Sequence, residues 1–252
     1  MRATSLMRDF AMALDPVQLA RGAGIDPDDW QSRLLRSGHP RILLNCSRQT
    51  GKSTIAAVLA NHTAYYDDGA PILLLSPSLR QSQELFRKCL DVYRALDRPV
   101  PPEAESALRL ELENGSRIIS LPGKETTIRG LSGVRLIIID EASRVPDALY
   151  MAVRPMLAVS GGRLALLSTP FGTRGFFWEA WKRRAEWDYY EVPAEECPRI
   201  SPEFLEEEQE TMGSWWYQQE YCCAFLDALT AAFRSEDIER IVKPGVEQWL
   251  LN

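Results

Sequence analysis

At 252 residues the chain is long enough to bury a sizeable core, as one large α/β domain or a core with a small appendage. Hydrophobic residues make up 45% and charged residues 25%, and no apolar run reaches the roughly 18 residues of a membrane span, so a soluble protein is expected. A formal net charge of −6 excludes a free-standing protein that coats nucleic acid by bulk charge; any DNA contact must be local or belong to a ring assembly.

The N-terminal "MRATSLMRDFAMALDP" carries Asp9 and Asp15 and lacks a clean apolar run before a cleavage site, so no secretion signal is expected. The five cysteines show no C-x-x-C spacing and His39 and His62 are the only histidines, which argues against a zinc cage and suits a reducing cytoplasm. Residues 1–40 look helical and polar, punctuated at "GAGIDP" and "SGHP". Strands then alternate with helices. "RILLNC" (41–46) is a short apolar strand, "STIAAVLANHTAYY" (53–66) a buried helix and "PILLLSPS" (71–78) a second buried strand. In "LRQSQELFRKCLDVYRAL" (79–96), Leu85, Cys89, Val92 and Leu96 recur every three or four residues, the signature of an amphipathic helix.

"ALRLELENGSRIISLPG" (107–123) alternates around Asn114-Gly115 and predicts a β-hairpin with a type I′ turn. "VRLIIIDEAS" (134–143) and "GRLALLSTP" (162–170) are apolar strands ending in polar residues, as central parallel strands covered on both faces do. From about residue 201 the chain turns acidic, then aromatic, and "SPEFLEEEQETMGSWWYQQEYCCAFL" predicts a small helical subdomain.

Three strings carry chemistry. Gly51, Lys52 and Ser53 end a G-x-x-x-x-G-K-[ST] phosphate loop whose first glycine position holds Cys46. A strand, a small-residue loop and a helix aim backbone N–H groups at phosphates, with Lys52 reaching them and the Ser53 hydroxyl on Mg²⁺. Asp140-Glu141 ends the "LIIID" strand, where Asp140 can hold Mg²⁺ and Glu141 can orient or deprotonate the attacking water. Ser168 and Thr169, before Pro170, can sense a γ-phosphate and couple hydrolysis to movement. Taken singly, each string also has a plain reading: a strand-to-helix turn, a helix cap, a local hydroxyl turn.

The ordered set "CSRQTGKST", "LIIIDEAS" and "LLSTP" resembles the ATPase domain of a tailed-bacteriophage terminase large subunit, over roughly residues 25–230. The resemblance implies an α/β P-loop NTPase of the additional-strand, catalytic-glutamate type, with a mostly parallel central sheet flanked by helices and a small helical lid. It implies ATP and Mg²⁺ as cofactors, and double-stranded DNA, a homo-oligomeric ring, the portal and the small terminase subunit as partners, in the bacterial host's cytoplasm. Phosphate loops of this family commonly put a small residue at the first glycine, which accounts for Cys46. The nucleotide-binding set is then Cys46, Ser47, Arg48, Gln49, Thr50, Gly51, Lys52, Ser53 and Thr54, with Arg48 matching an arginine that engages phosphates or the lid. Ser168, Thr169 and Pro170 match the coupling motif. Gln31, in "DDWQSRLL", matches an adenine-reading glutamine; an exposed helical glutamine is the alternative. Arg129, in "ETTIRGLSG", matches an arginine that reaches a neighbour's γ-phosphate in trans; a surface arginine is the alternative.

These matches divide the chain into an ATPase core with its adenine-binding segment (1–200) and a lid with linker (201–252). Too few residues follow Leu226 for the ribonuclease-H-like nuclease domain that such subunits carry, so no nuclease site is assigned. Trp215, Trp216, Tyr217 and Tyr221 read as packing residues, and Cys222-Cys223 as small buried side chains. "KRR" at 182–184, near Trp178, Trp181 and Trp187, reads first as a solvated helix face, with contact to DNA phosphates or a ring neighbour as the alternative. A helicase-like remodeller and a nucleotide-binding switch or scaffold with little turnover are the competing functions.

Overall fold

The computed structural model describes residues 2–122 and 131–227. Helices α1 (Arg2–Leu14), α2 (Pro16–Gly22) and α3 (Asp29–Arg36) precede the sheet. Its strands are β1 (Arg41–Cys46), β2 (Pro71–Ser76), β3 (Pro102–Glu105), β4 (Arg109–Leu112), β5 (Arg117–Pro122), β6 (Leu136–Asp140), β7 (Arg163–Ser168) and β8 (Asp188–Val192). They lie in the order β3-β4-β5-β2-β6-β7-β1-β8, and all neighbours from β5 to β8 pair in parallel. Helices α4 (Lys52–Tyr66), α5 (Leu79–Ala95), α6 (Asp147–Val153) and α7 (Gly175–Lys182) connect the strands, and α8 (Pro202–Met212) and α9 (Ser214–Glu220) follow β8.

The apolar runs fold as strands because both of their faces are buried. Successive side chains of a strand point to opposite sides. Ile42, Leu44, Ile72, Leu74 and Ile138 pack with α4 and α5, whereas Leu43, Leu73, Leu75, Ile137 and Ile139 pack with α6 and α7. Burying each such side chain contributes about 1.5–3 kcal/mol. The result is the helix-flanked, mostly parallel sheet that the sequence implied, with β7 inserted between β1 and β6 as the additional strand.

Two strands lie outside the sequence reading. β3 is an exposed edge strand paired antiparallel to β4, and β8 pairs in parallel with β1 at the opposite edge. The hairpin of β4 and β5 forms, but its turn is not type I′. Gly115 has φ +80° while Asn114 is not among the residues of positive φ, and Gly115 N–H donates to Leu112 O at 2.8 Å. This is a three-residue turn with the glycine in the left-handed position. Tertiary bonding selects it: Asn114 Nδ2 donates to Ala64 O at 2.9 Å at the end of α4, and Asn114 O accepts from Gly69 N at 2.9 Å. Around the last helices, Ala194, Leu205 and Tyr221 form a small separate core. Trp216 is 46% exposed and Cys222 is also exposed, so neither is the buried packing residue expected; Tyr221 and Cys223 are buried.

Opposite the strand ends that carry the motifs, Gly162 leads into β7 with no room for a side chain. A Cβ there would lie 2.2 Å from Val134 O. Gly162→Ala is expected to destabilise the chain by about 1–3 kcal/mol, since backbone must shift. Thermal unfolding should show a fall of roughly 3–10 °C, and an unchanged midpoint would contradict this close approach.

Candidate functional site

Strand order brings the three strings together. β1, β7 and β6 are adjacent and parallel, with Asn45 opposite Ser168 and Asp140 opposite Leu167, so their C-terminal ends meet at one edge. The loop after β1 turns through Gln49 at φ +61° and Gly51 at φ +89° before α4 starts. Gly51 is required by its left-handed backbone, and a Cβ there would also displace the Gln31 amide, whose Nε2 would lie 2.9 Å away. Ser47 N–H donates to Val192 O at 3.0 Å and Thr50 Oγ1 to Ser47 O at 3.2 Å, so β8 and the loop itself fix its course. Cys46 is fully buried, and burial pushes its thiol well above the ordinary range, leaving an inert small side chain.

At the centre lies Lys52. Its Nζ is 3.2 Å from Glu141 Oε1 and 3.5 Å from Thr169 Oγ1. Burial pushes the ammonium pKa down, but the carboxylates of Glu141 and Asp140 outweigh it and hold the value above the ordinary one. Asp140 Oδ2 accepts from Ser53 Oγ at 2.8 Å, and Asp140 Oδ1 accepts from Glu141 N–H at 3.0 Å. Burial and the Glu141 charge raise the Asp140 pKa, against Lys52 and the Ser53 hydrogen bond. One cation therefore serves two carboxylates. Glu141 holds φ +52°, a left-handed conformation that costs a non-glycine residue on the order of 1 kcal/mol or more and that clusters at working sites.

Ser143, two residues beyond Glu141, ties this turn to β7. Its N–H donates to Ser168 Oγ at 3.1 Å, and its Oγ donates to Thr169 O at 2.9 Å. Pro170 is buried beside them. Ser143 lies inside the quoted string, but only the adjacency of β6 and β7 gives it a partner.

The last helices grip the loop from the other side. Arg48 Nε donates to Glu220 Oε2 of α9, and Arg48 N–H donates to Glu220 O at 3.3 Å. Asn45 Nδ2 donates to Cys223 O at 2.9 Å. Gln31 is 4% exposed. Its Oε1 accepts from Asp28 N–H at 2.9 Å and its Nε2 donates to Thr50 O at 3.1 Å, so both ends of the amide are engaged within the chain. Arg199, which the sequence reading did not single out, closes the same circuit with bonds of 2.7 and 2.8 Å to the Asp28 carboxylate and 3.0 Å to Thr50 O. Thr54 Oγ1 accepts from Lys88 Nζ at 3.5 Å. Arg129 lies outside the described residues.

The shared cation makes a signed prediction. Lys52→Ala strands two carboxylates and should cost about 3 kcal/mol, a fall of roughly 6–12 °C in thermal unfolding. Adding Asp140→Asn should restore part of the loss. In metal-free buffer Asp140→Asn alone has a pH signature. The raised Asp140 pKa stabilises the fold fully below the unfolded value near 4 and loses that stabilisation as pH rises through the folded value. The stability of the variant minus that of the parent should therefore rise between pH 4 and pH 7, and a difference that stays flat or falls over that range would contradict the arrangement.

Comparison with known proteins bears on the family and the fold. A family model described as terminase large subunit, T4likevirus-type, N-terminal, matches residues 43–240. Terminase large subunits of Thermus phage G20c and Thermus virus P23-45 are each 26% identical over 173 residues, covering 61% of this chain and 36% of theirs. The chain thus spans little more than a third of those relatives. Among solved structures, the Thermus phage P74-26 large terminase ATPase domain superposes with a TM-score of 0.74 at 20% identity, covering 82% of this chain and 97% of that one. The large terminase of a thermophilic bacteriophage in complex with ADP gives 0.62 at 12% identity, covering 82% and 52%. These two likenesses establish a shared fold, that of terminase ATPase domains, and the family match establishes kinship: the chain belongs to the T4likevirus-type family of terminase large subunit N-terminal regions.

Proposed function

We propose that the chain is the Mg²⁺-dependent ATPase motor of a phage DNA-packaging terminase, driving double-stranded DNA into a procapsid as one member of a homo-oligomeric ring. The carrying observation is the convergence of Lys52, Ser53, Asp140, Glu141 and Thr169 at three adjacent strand ends. The portal and small terminase subunit would be its partners in the host cytoplasm. Residues 1–200 form the core in this reading and 201–252 the lid and linker.

The residues present fit a Mg²⁺ ion. The Ser53 hydroxyl and the buried Asp140 carboxylate lie 2.8 Å apart as hard oxygen donors, and no three-residue His/Cys/Asp/Glu cage exists among the described residues. That suits an ion held by one or two protein oxygens, phosphates and water. Bound there, it would neutralise charge on the β- and γ-phosphates. Loop N–H groups from Gln49 to Ser53 and the Lys52 ammonium bind phosphate, and Glu141, displaced from Lys52, takes the proton of the attacking water. Thr169, beside Lys52, and Ser168, bonded to Ser143, transmit the change to β7 and Pro170. Arg48 exchanges Glu220 for phosphate, which releases α9. Gln31 reads adenine by exchanging a bond it now makes to Asp28 or Thr50, while Arg199 keeps hold of Thr50 O. Arg129 acts in trans on a neighbour's nucleotide.

Steady-state ATP hydrolysis with Mg²⁺ over a wide range of protein concentration tests this reading. Turnover per chain should rise with concentration, fall about 10²–10⁴-fold in Glu141→Gln and fall in Arg129→Ala. Binding of ATP with no turnover at any concentration would favour a switch or scaffold, and concentration-independent turnover untouched by Arg129→Ala would remove the trans role.

A further inference from the structure

We infer that the side of the chain built by α6, α7 and their flanking turns is a contact surface for the phosphate backbone of double-stranded DNA. This rests on the DNA-motor reading above and adds the surface that holds the duplex. The chain is acidic overall, yet Arg144, Arg154, Arg174, Arg183 and Arg184 gather on this side, all exposed. Among the described residues none of the five has a carboxylate within 4.0 Å. The nearby acids are engaged: Asp147 Oδ1 accepts from Phe176 N–H at 2.8 Å, Glu179 pairs with Lys182 at 2.8 Å and Glu186 with Arg41 at 3.9 Å. Glu191 of β8 also feels the Arg184 charge.

The guanidiniums are mounted on rings. Arg144 lies 4.1 Å from the Phe171 centroid, Arg154 5.4 Å from Tyr150, and Arg184 5.2 Å from Trp181 and 5.8 Å from Tyr189. Every cation–π contact among the described residues falls on this side. The shelf beneath is rigid, since Tyr150 stacks on Phe176 at 4.2 Å and both, with Trp181, belong to the core. An arginine laid on a ring has its position set and keeps N–H groups for bonds to phosphate, although Arg184 already donates one from Nη1 to Trp181 O at 3.4 Å, so less order remains to be imposed on binding. Arg174 and Arg183 bracket α7, about 12–14 Å apart, the length of roughly four base pairs at 3.4 Å each.

The surface is also wired to the site. Arg144 closes the turn that begins at Glu141, and Phe171 under it follows Pro170. A change in the Ser143–Ser168 bonding would move both.

The test is the binding of a fluorescent 30-base-pair duplex of random sequence to the whole chain, followed by anisotropy across salt, for the parent and for Arg154→Ala/Arg174→Ala/Arg183→Ala. If all three arginines hold phosphates, the slope of log affinity against log salt falls by about 2–3 and affinity near 0.1 M salt falls at least tenfold. The triple lysine variant should keep most of the slope while losing part of the affinity. Affinity and slope within twofold of the parent would overturn the surface while leaving the motor reading intact. Loss of concentration-dependent association with unchanged DNA binding would overturn it too, and would assign this side to the acidic α8 of a second copy, whose Glu203, Glu206, Glu207 and Glu210 are exposed. A parent that ignores DNA at every salt also overturns it, and ATP hydrolysis measured on the same sample tells whether the ATPase reading falls as well.

Discussion

A single buried ammonium, Lys52, stands between two carboxylates at the junction of the first loop and the sixth strand. Desolvating three charged groups in one place costs several kcal/mol per ion, and one positive charge cannot balance two negative ones. Burial together with the Glu141 charge raises the Asp140 pKa, and against the burial that lowers it the two carboxylates raise that of Lys52. The arrangement is held by the fold rather than by its own energy, because eight strands and two apolar cores fix the strand ends from which these side chains project. A site short of positive charge is ready for a divalent cation, and an ammonium paired with a carboxylate is ready to exchange it for phosphate.

The surrounding contacts extend the same constraint outward. Glu141 sits in the left-handed region, Ser143 links its turn to β7, and Thr169 approaches Lys52 from that strand. On the other side Arg48, Asn45 and Ser47 fasten the loop to α9, Cys223 and β8. Any group that displaces Glu141 from Lys52, or Glu220 from Arg48, therefore acts on elements far along the chain. Events at a nucleotide's phosphates would in this way reach both the last helices and the arginine-bearing turn after β6.

Much of this was legible in the sequence, for identifiable reasons. "RILLNC", "LIIID" and "RLALLS" announce themselves as strands because both faces are buried, which leaves continuous apolar runs. Their polar ends carry the motif residues, and parallel topology alone makes those ends meet. What escaped depends on tertiary partners. "DYYEV" is a short edge strand with alternating exposure, and "PEAE" has almost no strand propensity of its own. Arg199 and Glu220 look like ordinary surface charges until the fold brings them to Asp28 and Arg48, which lie more than 170 positions away. Asn114-Gly115 predicted the hairpin correctly but the wrong turn, since the asparagine amide is drawn to the end of α4. Gln31 is singled out by a resemblance, whereas its bond to the loop is not readable from "DDWQSRLL".

The most direct test of the central claim is the affinity of Mg²⁺–ATPγS for the parent and for Glu141→Gln, measured by titration calorimetry. If Glu141 occupies Lys52 in the resting site and must be displaced by phosphate, the variant should bind several-fold to about tenfold more tightly, a gain of up to roughly 1.4 kcal/mol. Equal or weaker binding by the variant would show that the Lys52–Glu141 pair does not compete with nucleotide, and the account built on it would fail.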